Sequence, residues 1–89
     1  MASLEKIKQR VSEIANNPKN VSSSDIEWVV GQLSQNGYRT SERAYGDHGK
    51  LFSVGEHRFG ICTHNRGAKQ IKSCYVSEFL KVMINLELL

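Results

Sequence analysis

The hydrophobic period of this chain changes at Asn36-Gly37, and that change constrains the fold more than any other feature. Before it, Leu4, Ile7, Val11 and Ile14 recur at helical spacing, which predicts an amphipathic helix over residues 3–16. Asn16-Asn17-Pro18 ends that helix, because proline disfavours helical geometry in the residue before it. A second helix follows: Ser24 with Glu27 three positions on fits a capping box, and Ile26, Val29, Val30 and Leu33 share one face. Asn36-Gly37 supplies its left-handed stop. Trp28 falls off the apolar face; packing on the first helix is its expected role, and contact with a partner is the other reading.

Beyond Gly37 the pattern is that of strands. Residues 38–45, 51–54 and 57–63 read as three short strands, with Phe59 and Ile61 on one face of the third. Gly55-Glu56 is a glycine-first hairpin signal between the last two. Residues 64–72 form a basic loop, and Ser73 is placed to cap a final helix on which Val76, Phe79, Leu80 and Met83 make a stripe. The closing residues 84–89 are more apolar than one helix face requires, so they either fold back on the core or meet another chain.

The order α-α-β-β-β-α predicts an α+β domain with a three-stranded antiparallel sheet. Three short strands cannot shield both of their faces, so the second and third helices are expected to cover one. The other face is then open and is expected to carry Arg39, Ser41, Arg43 and Lys50. Double-stranded-RNA-binding domains are built in this way.

Eighty-nine residues make one domain. No apolar run approaches the roughly 20 residues of a membrane span, and the mixed-charge N-terminus lacks a signal-peptide core. Cys62 and Cys74 make neither a disulfide framework nor a zinc site, so a reduced, cytoplasmic protein is expected. The acids are scattered, and no metal or other cofactor is indicated by their spacing. The net charge of +3 is unevenly placed. Residues 1–36 hold four bases against four acids, whereas residues 37–72 hold seven against three and contain all three histidines. Concentrated positive charge favours an anionic partner, nucleic acid first.

Within the basic segment, Ala44-Tyr45-Gly46-Asp47-His48-Gly49-Lys50-Leu51-Phe52 holds the chemistry of interest. Gly46 and Gly49 permit a tight turn around His48, the one side-chain type that exchanges protons near neutral pH when unperturbed. By its residues alone this is a permissive loop with a titratable group. His64 has two readings, an acid, base or phosphate contact, or a cap on the third strand. Tyr38, Tyr45 and Tyr75 are candidates to stack on bases, although core packing is expected for at least two of them.

Several of these features in order resemble the HicA family of bacterial toxins. The run Asn17-Pro18-Lys19-Asn20-Val21-Ser22, followed by a helix leaving through Gly37-Tyr38, is similar to the family's opening. Gly46-Asp47-His48 stands where the family has Gly-Ser-His, with Leu51 three positions after the histidine. His64, Lys69, Ile71 and Lys72, then Tyr75-Val76 and Phe79-Leu80, resemble its histidine, basic loop and closing helix. The resemblance spans roughly residues 17–83. It implies residues 1–16 as a helical extension and 17–89 as the HicA-like part of a single domain.

What the resemblance implies is an mRNA interferase: a metal-independent endoribonuclease acting on single-stranded mRNA and silenced by a HicB-type antitoxin. His48 would be the general acid or base, with His64 as a possible complement. Arg39, Arg43, Lys50, Lys69 and Lys72 would contact RNA, Lys50 and the arginines also neutralising charge that develops at phosphorus. Asp47 departs from the pattern; a carboxylate there favours protonated histidine and repels phosphate. The alternatives are a non-catalytic RNA-binding module of the same fold, and a protein-interaction domain using Trp28 and the apolar tail.

Overall fold

The first helix begins because Ser3 caps it, its hydroxyl accepting the Lys6 backbone N–H at 3.3 Å. The structure, a computed structural model, describes residues 3–46, 49–63 and 70–89. Helix α1 spans Leu4–Asn16 and buries Ile7, Val11 and Ile14. It stops at Asn17, and Pro18–Asn20 form one 3-10 turn.

Helix α2, Ser23–Gln35, starts two residues before the sequence pattern suggests. The capping pair is Ser22 with Asp25, not Ser24 with Glu27: the Asp25 carboxylate accepts the Ser22 backbone N–H at 3.0 Å and its hydroxyl at 3.1 Å. A distant strand-like contact sets this register. Ile71 donates its N–H to the Val21 carbonyl at 2.9 Å, and Ser22 bridges to Gln70, so the backbone is extended immediately before Ser23. Gly37, at φ +94°, closes the helix as expected. Tyr38 N–H reaches the Leu33 carbonyl and Gly37 N–H the Ser34 carbonyl, the two bonds of a Schellman ending.

The three strands are β1 (Thr40–Tyr45), β2 (Gly49–Val54) and β3 (His57–Cys62), antiparallel in the order β1-β2-β3. The hairpin at Gly55-Glu56 forms as expected, with Gly55 at φ +62°. Its amide donates to the Arg39 carbonyl at 2.7 Å, fixing the entry to β1. Past β3, Thr63 bridges to Ile71 and Lys72 donates its N–H to the Cys62 carbonyl at 3.1 Å.

Helix α3, Ser73–Asn85, is preceded by Lys72 as its cap position, and no side chain caps it. Ser73 is therefore the first helical residue rather than the cap, because the Cys62–Lys72 bond holds Lys72 in an extended conformation. Val76, Phe79, Val82 and Met83 are buried, and Leu80 packs partly against them. The tail folds back. Leu88 donates its N–H to the Met83 carbonyl at 2.8 Å and is buried, while Leu89 remains 45% exposed.

Helix α3 lies along β3, α2 approaches β1, and α1 packs against α2 and α3. Phe52 stacks on Phe59 with centroids 5.6 Å apart, and Phe59 meets Phe79 edge-on at 5.4 Å. One continuous core joins these rings to Ile7, Val11 and Ile14 of α1. Trp28 packs on this core with the Arg10 guanidinium 4.5 Å above its ring, so it is used inside the molecule. Tyr38 and Tyr75 also pack on the core. The architecture is the expected α+β arrangement, three antiparallel strands with two helices before and one after. Among the described residues no helix is long and apolar enough to cross a membrane.

Candidate nucleic-acid interface

Strand alternation sorts the sheet residues into two faces. Phe52 and Val54 are buried, so everything in phase with them faces the helices. The pairs Glu42–Phe52–Phe59 and Ala44–Lys50–Ile61 belong to that covered face. The opposite, open face carries the rows Ser41–Ser53–Arg58 and Arg43–Leu51–Gly60 and the pair Gly49–Cys62. Ser41 and Ser53 touch hydroxyl to hydroxyl at 2.5 Å. A shallow depression of about 320 Å³ lies here, lined by these two serines, Glu42, Arg43, Leu51, Phe52 and Arg58.

Lys50 is not on the open face. It is in phase with Phe52 and reaches across to α2, where its Nζ donates to Glu27 Oε1 at 2.5 Å, with Glu42 Oε1 at 4.0 Å. The hydrogen bond to Glu27 holds its pKa above the ordinary lysine value, against partial desolvation, and both carboxylates reinforce the effect. This lysine joins α2 to the sheet and is not available to a ligand on the far side. Neither partner is evident as such in the sequence: Glu27 reads as part of a capping box, and Glu42 carries no motif; the phase relation with Phe52 is what turns Lys50 toward them.

Among the remaining cations, Lys6, Lys8 and Lys19 are exposed on α1 and the 3-10 turn with no ion pair to a described carboxylate. On the helical side, Arg10 lies 3.7 Å from Asp25 and 4.0 Å from Glu13, and Lys81 lies 3.8 Å from Glu78. Arg43 and Arg58 are exposed on the open face, and Arg39 is exposed just before β1. None of these three forms an ion pair with a described carboxylate. Arg58, Ser41 and Ser53 escaped the sequence reading as site residues. Alternation with the buried Phe52 and Phe59 is the signal that finds them.

Lys72 is exposed beside the end of β3. Asp47, His48, His64 and Lys69 lie outside the described residues. The described residues that flank them do converge: Gly49 pairs with both Tyr45 and Cys62 in a single row at one end of the sheet. Gly46, at φ +65°, follows Tyr45 directly, so glycine's freedom in the left-handed region is used there. The chain therefore leaves for residues 47–48 and for residues 64–69 from the same end of the sheet. Comparison with models of known protein families, with curated proteins and with solved structures returned no match.

Proposed function

We propose that this chain is a HicA-like toxin, a cytoplasmic endoribonuclease that cleaves single-stranded mRNA through His48 without a metal and is held silent by a HicB-type antitoxin. The observation that supports this most is the sorting of charge. Arg10, Lys50 and Lys81 on the helical side each lie beside a carboxylate, whereas Arg43 and Arg58 stand unpaired with described carboxylates beside two serine hydroxyls on the open sheet face. Such a face suits a phosphate backbone, which guanidinium groups and hydroxyls bind through charge-assisted hydrogen bonds.

Cleavage requires a base for the ribose 2′-OH and an acid for the leaving 5′-oxygen. The strand ends flanking His48 and His64 share the row Tyr45–Gly49–Cys62, so the two histidines are suitable partners for those roles. Arg39, Arg43, Lys69 and Lys72 remain the candidate RNA contacts, joined by Arg58. A second reading, binding of RNA without cleavage, draws on Lys50. With that lysine held by Glu27, β2 supplies no cation for charge developing at the phosphorus, and Asp47 adds a negative charge in sequence beside His48.

Purified wild-type protein and His48→Ala, incubated with unstructured RNA in EDTA, separate these readings. Wild-type cleavage that falls about 10²–10⁴-fold in the variant supports the nuclease. Equal cleavage by both removes His48 from the chemistry. Saturable binding with no cleavage by either selects the binding module.

A further inference from the structure

Strand β1 is an edge of the sheet, and its outer side has no strand beside it among the described residues. The opposite edge differs, since β3 is followed by the Thr63–Ile71 bridge and the Lys72–Cys62 bond. Between β1 and α2 runs a groove of about 440 Å³, with Glu27, Val30, Gly31, Ser34 and Gln35 on its helix wall, Thr40, Ser41 and Glu42 on its strand wall, and Phe52 on its floor. Val30 and Phe52 are buried, so the floor is apolar.

Gly31 is the second observation. It sits in the interior of α2, where glycine weakens a helix, and the fold does not require it. A Cβ built at this position meets nothing within 4 Å. The missing side chain instead keeps the groove open.

We propose that this groove and the β1 edge together form a docking slot for an extended segment of another protein, added as a fourth strand. The strand edge offers alternating N–H and C=O groups, which a polypeptide matches and a nucleic acid does not. Side chains of the incoming strand alternate between the two faces. Those entering the groove are small and apolar, to cover Val30, Gly31 and Phe52. Those on the open face are acidic, because Arg43 stands there exposed and unpaired with any described carboxylate.

A second copy of this chain is a poor occupant. Two β1 strands paired antiparallel about a two-fold axis overlap most when centred on Glu42 or on Arg43. Either register sets like charges directly opposite, which destabilises the pair. The slot therefore suits a different chain, with apolar and acidic residues in alternation. It goes beyond the nuclease reading and does not depend on it.

The test uses the whole protein, isotopically labelled, with a blocked peptide Glu-Val-Glu-Thr-Glu-Val-Glu at about 150 mM salt, where long-range charge attraction is screened. Saturable binding should slow amide exchange at alternate residues of Thr40–Tyr45. Gly31→Leu should weaken binding about tenfold or more without loss of thermal stability, while Gly31→Ala should retain it. Substituting proline for the central threonine of the peptide should abolish the exchange protection. The proposal is overturned by absence of binding at millimolar peptide, or by equal binding to Gly31→Leu. Shifts confined to Arg43 and Arg58, with no slowing in β1 and displacement by oligouridine, would show charge attraction alone and also overturn it.

Discussion

Lys50 links the covered face of the sheet to α2, and its titration reports on that link. Its pKa is raised in the folded protein by the Glu27 hydrogen bond first and by the charges of Glu27 and Glu42 after it. A base that binds its proton more tightly when folded stabilises the fold wherever it is protonated in both states. That contribution is fully present below the ordinary value of 10.5 and is lost as pH rises through the folded value above it. The side chain is 43% exposed, so solvent screens the pair and the effect is modest. Urea unfolding of wild type and Lys50→Met across the alkaline range provides the measurement. The stability difference between them should be constant near neutrality and shrink above pH 10.5. A difference that stays flat through that range would show that the ion pair contributes nothing.

Helices α2 and α3 end in the same geometry with different residues at the left-handed position. At the end of α2 that position is Gly37; at the end of α3 it is Glu87, at φ +61°. Glu87 N–H bonds the Ile84 carbonyl and Leu88 N–H the Met83 carbonyl, so the Schellman pattern is complete. A side chain in this region costs about 1–2 kcal/mol, and burial of Leu88 is what keeps the turn in place. Glu87→Gly should therefore stabilise the protein by about 1 kcal/mol, raising Tm by roughly 4–8 °C in calorimetry. An unchanged or lower Tm would show that the turn is not held by Leu88. The sequence reveals the α2 ending because Asn36-Gly37 carries its own signal. It does not reveal the α3 ending, where tertiary burial overrides the preference of glutamate. The caps obey the same distinction: Ser24–Glu27 is a local pattern, and Ser22–Asp25 prevails because Gln70 and Ile71, far along the chain, fix the start.

At the scale of the whole molecule, the element order and the apolar faces were legible because periods of 3.6 and 2 belong to local geometry. The face of each sheet residue was legible only in part, because the burial of Phe52 and Val54 that sets the phase is a property of the folded structure. That is why Arg43 and Ser41 are on the open side as expected and Lys50 is not. Ion pairing was not legible, since Glu27 and Lys50 are distant in sequence and meet only when α2 folds onto the sheet. The contrast between Lys50, held by Glu27, and the open-face arginines makes a prediction about salt. Each phosphate contact on single-stranded RNA contributes about 0.7 to the slope of log affinity against log salt concentration. Replacing Arg43 and Arg58 together by serine should reduce the magnitude of that slope by about 1.4, with affinity falling for every sequence tested. Lys50→Met should leave the slope unchanged, because its charge is already satisfied by Glu27 on the other face. Fluorescence anisotropy with oligouridine over a salt series distinguishes the cases. Equal losses for Lys50 and the arginines would mean that only net charge matters, and the open face would then lose its claim as the nucleic-acid interface.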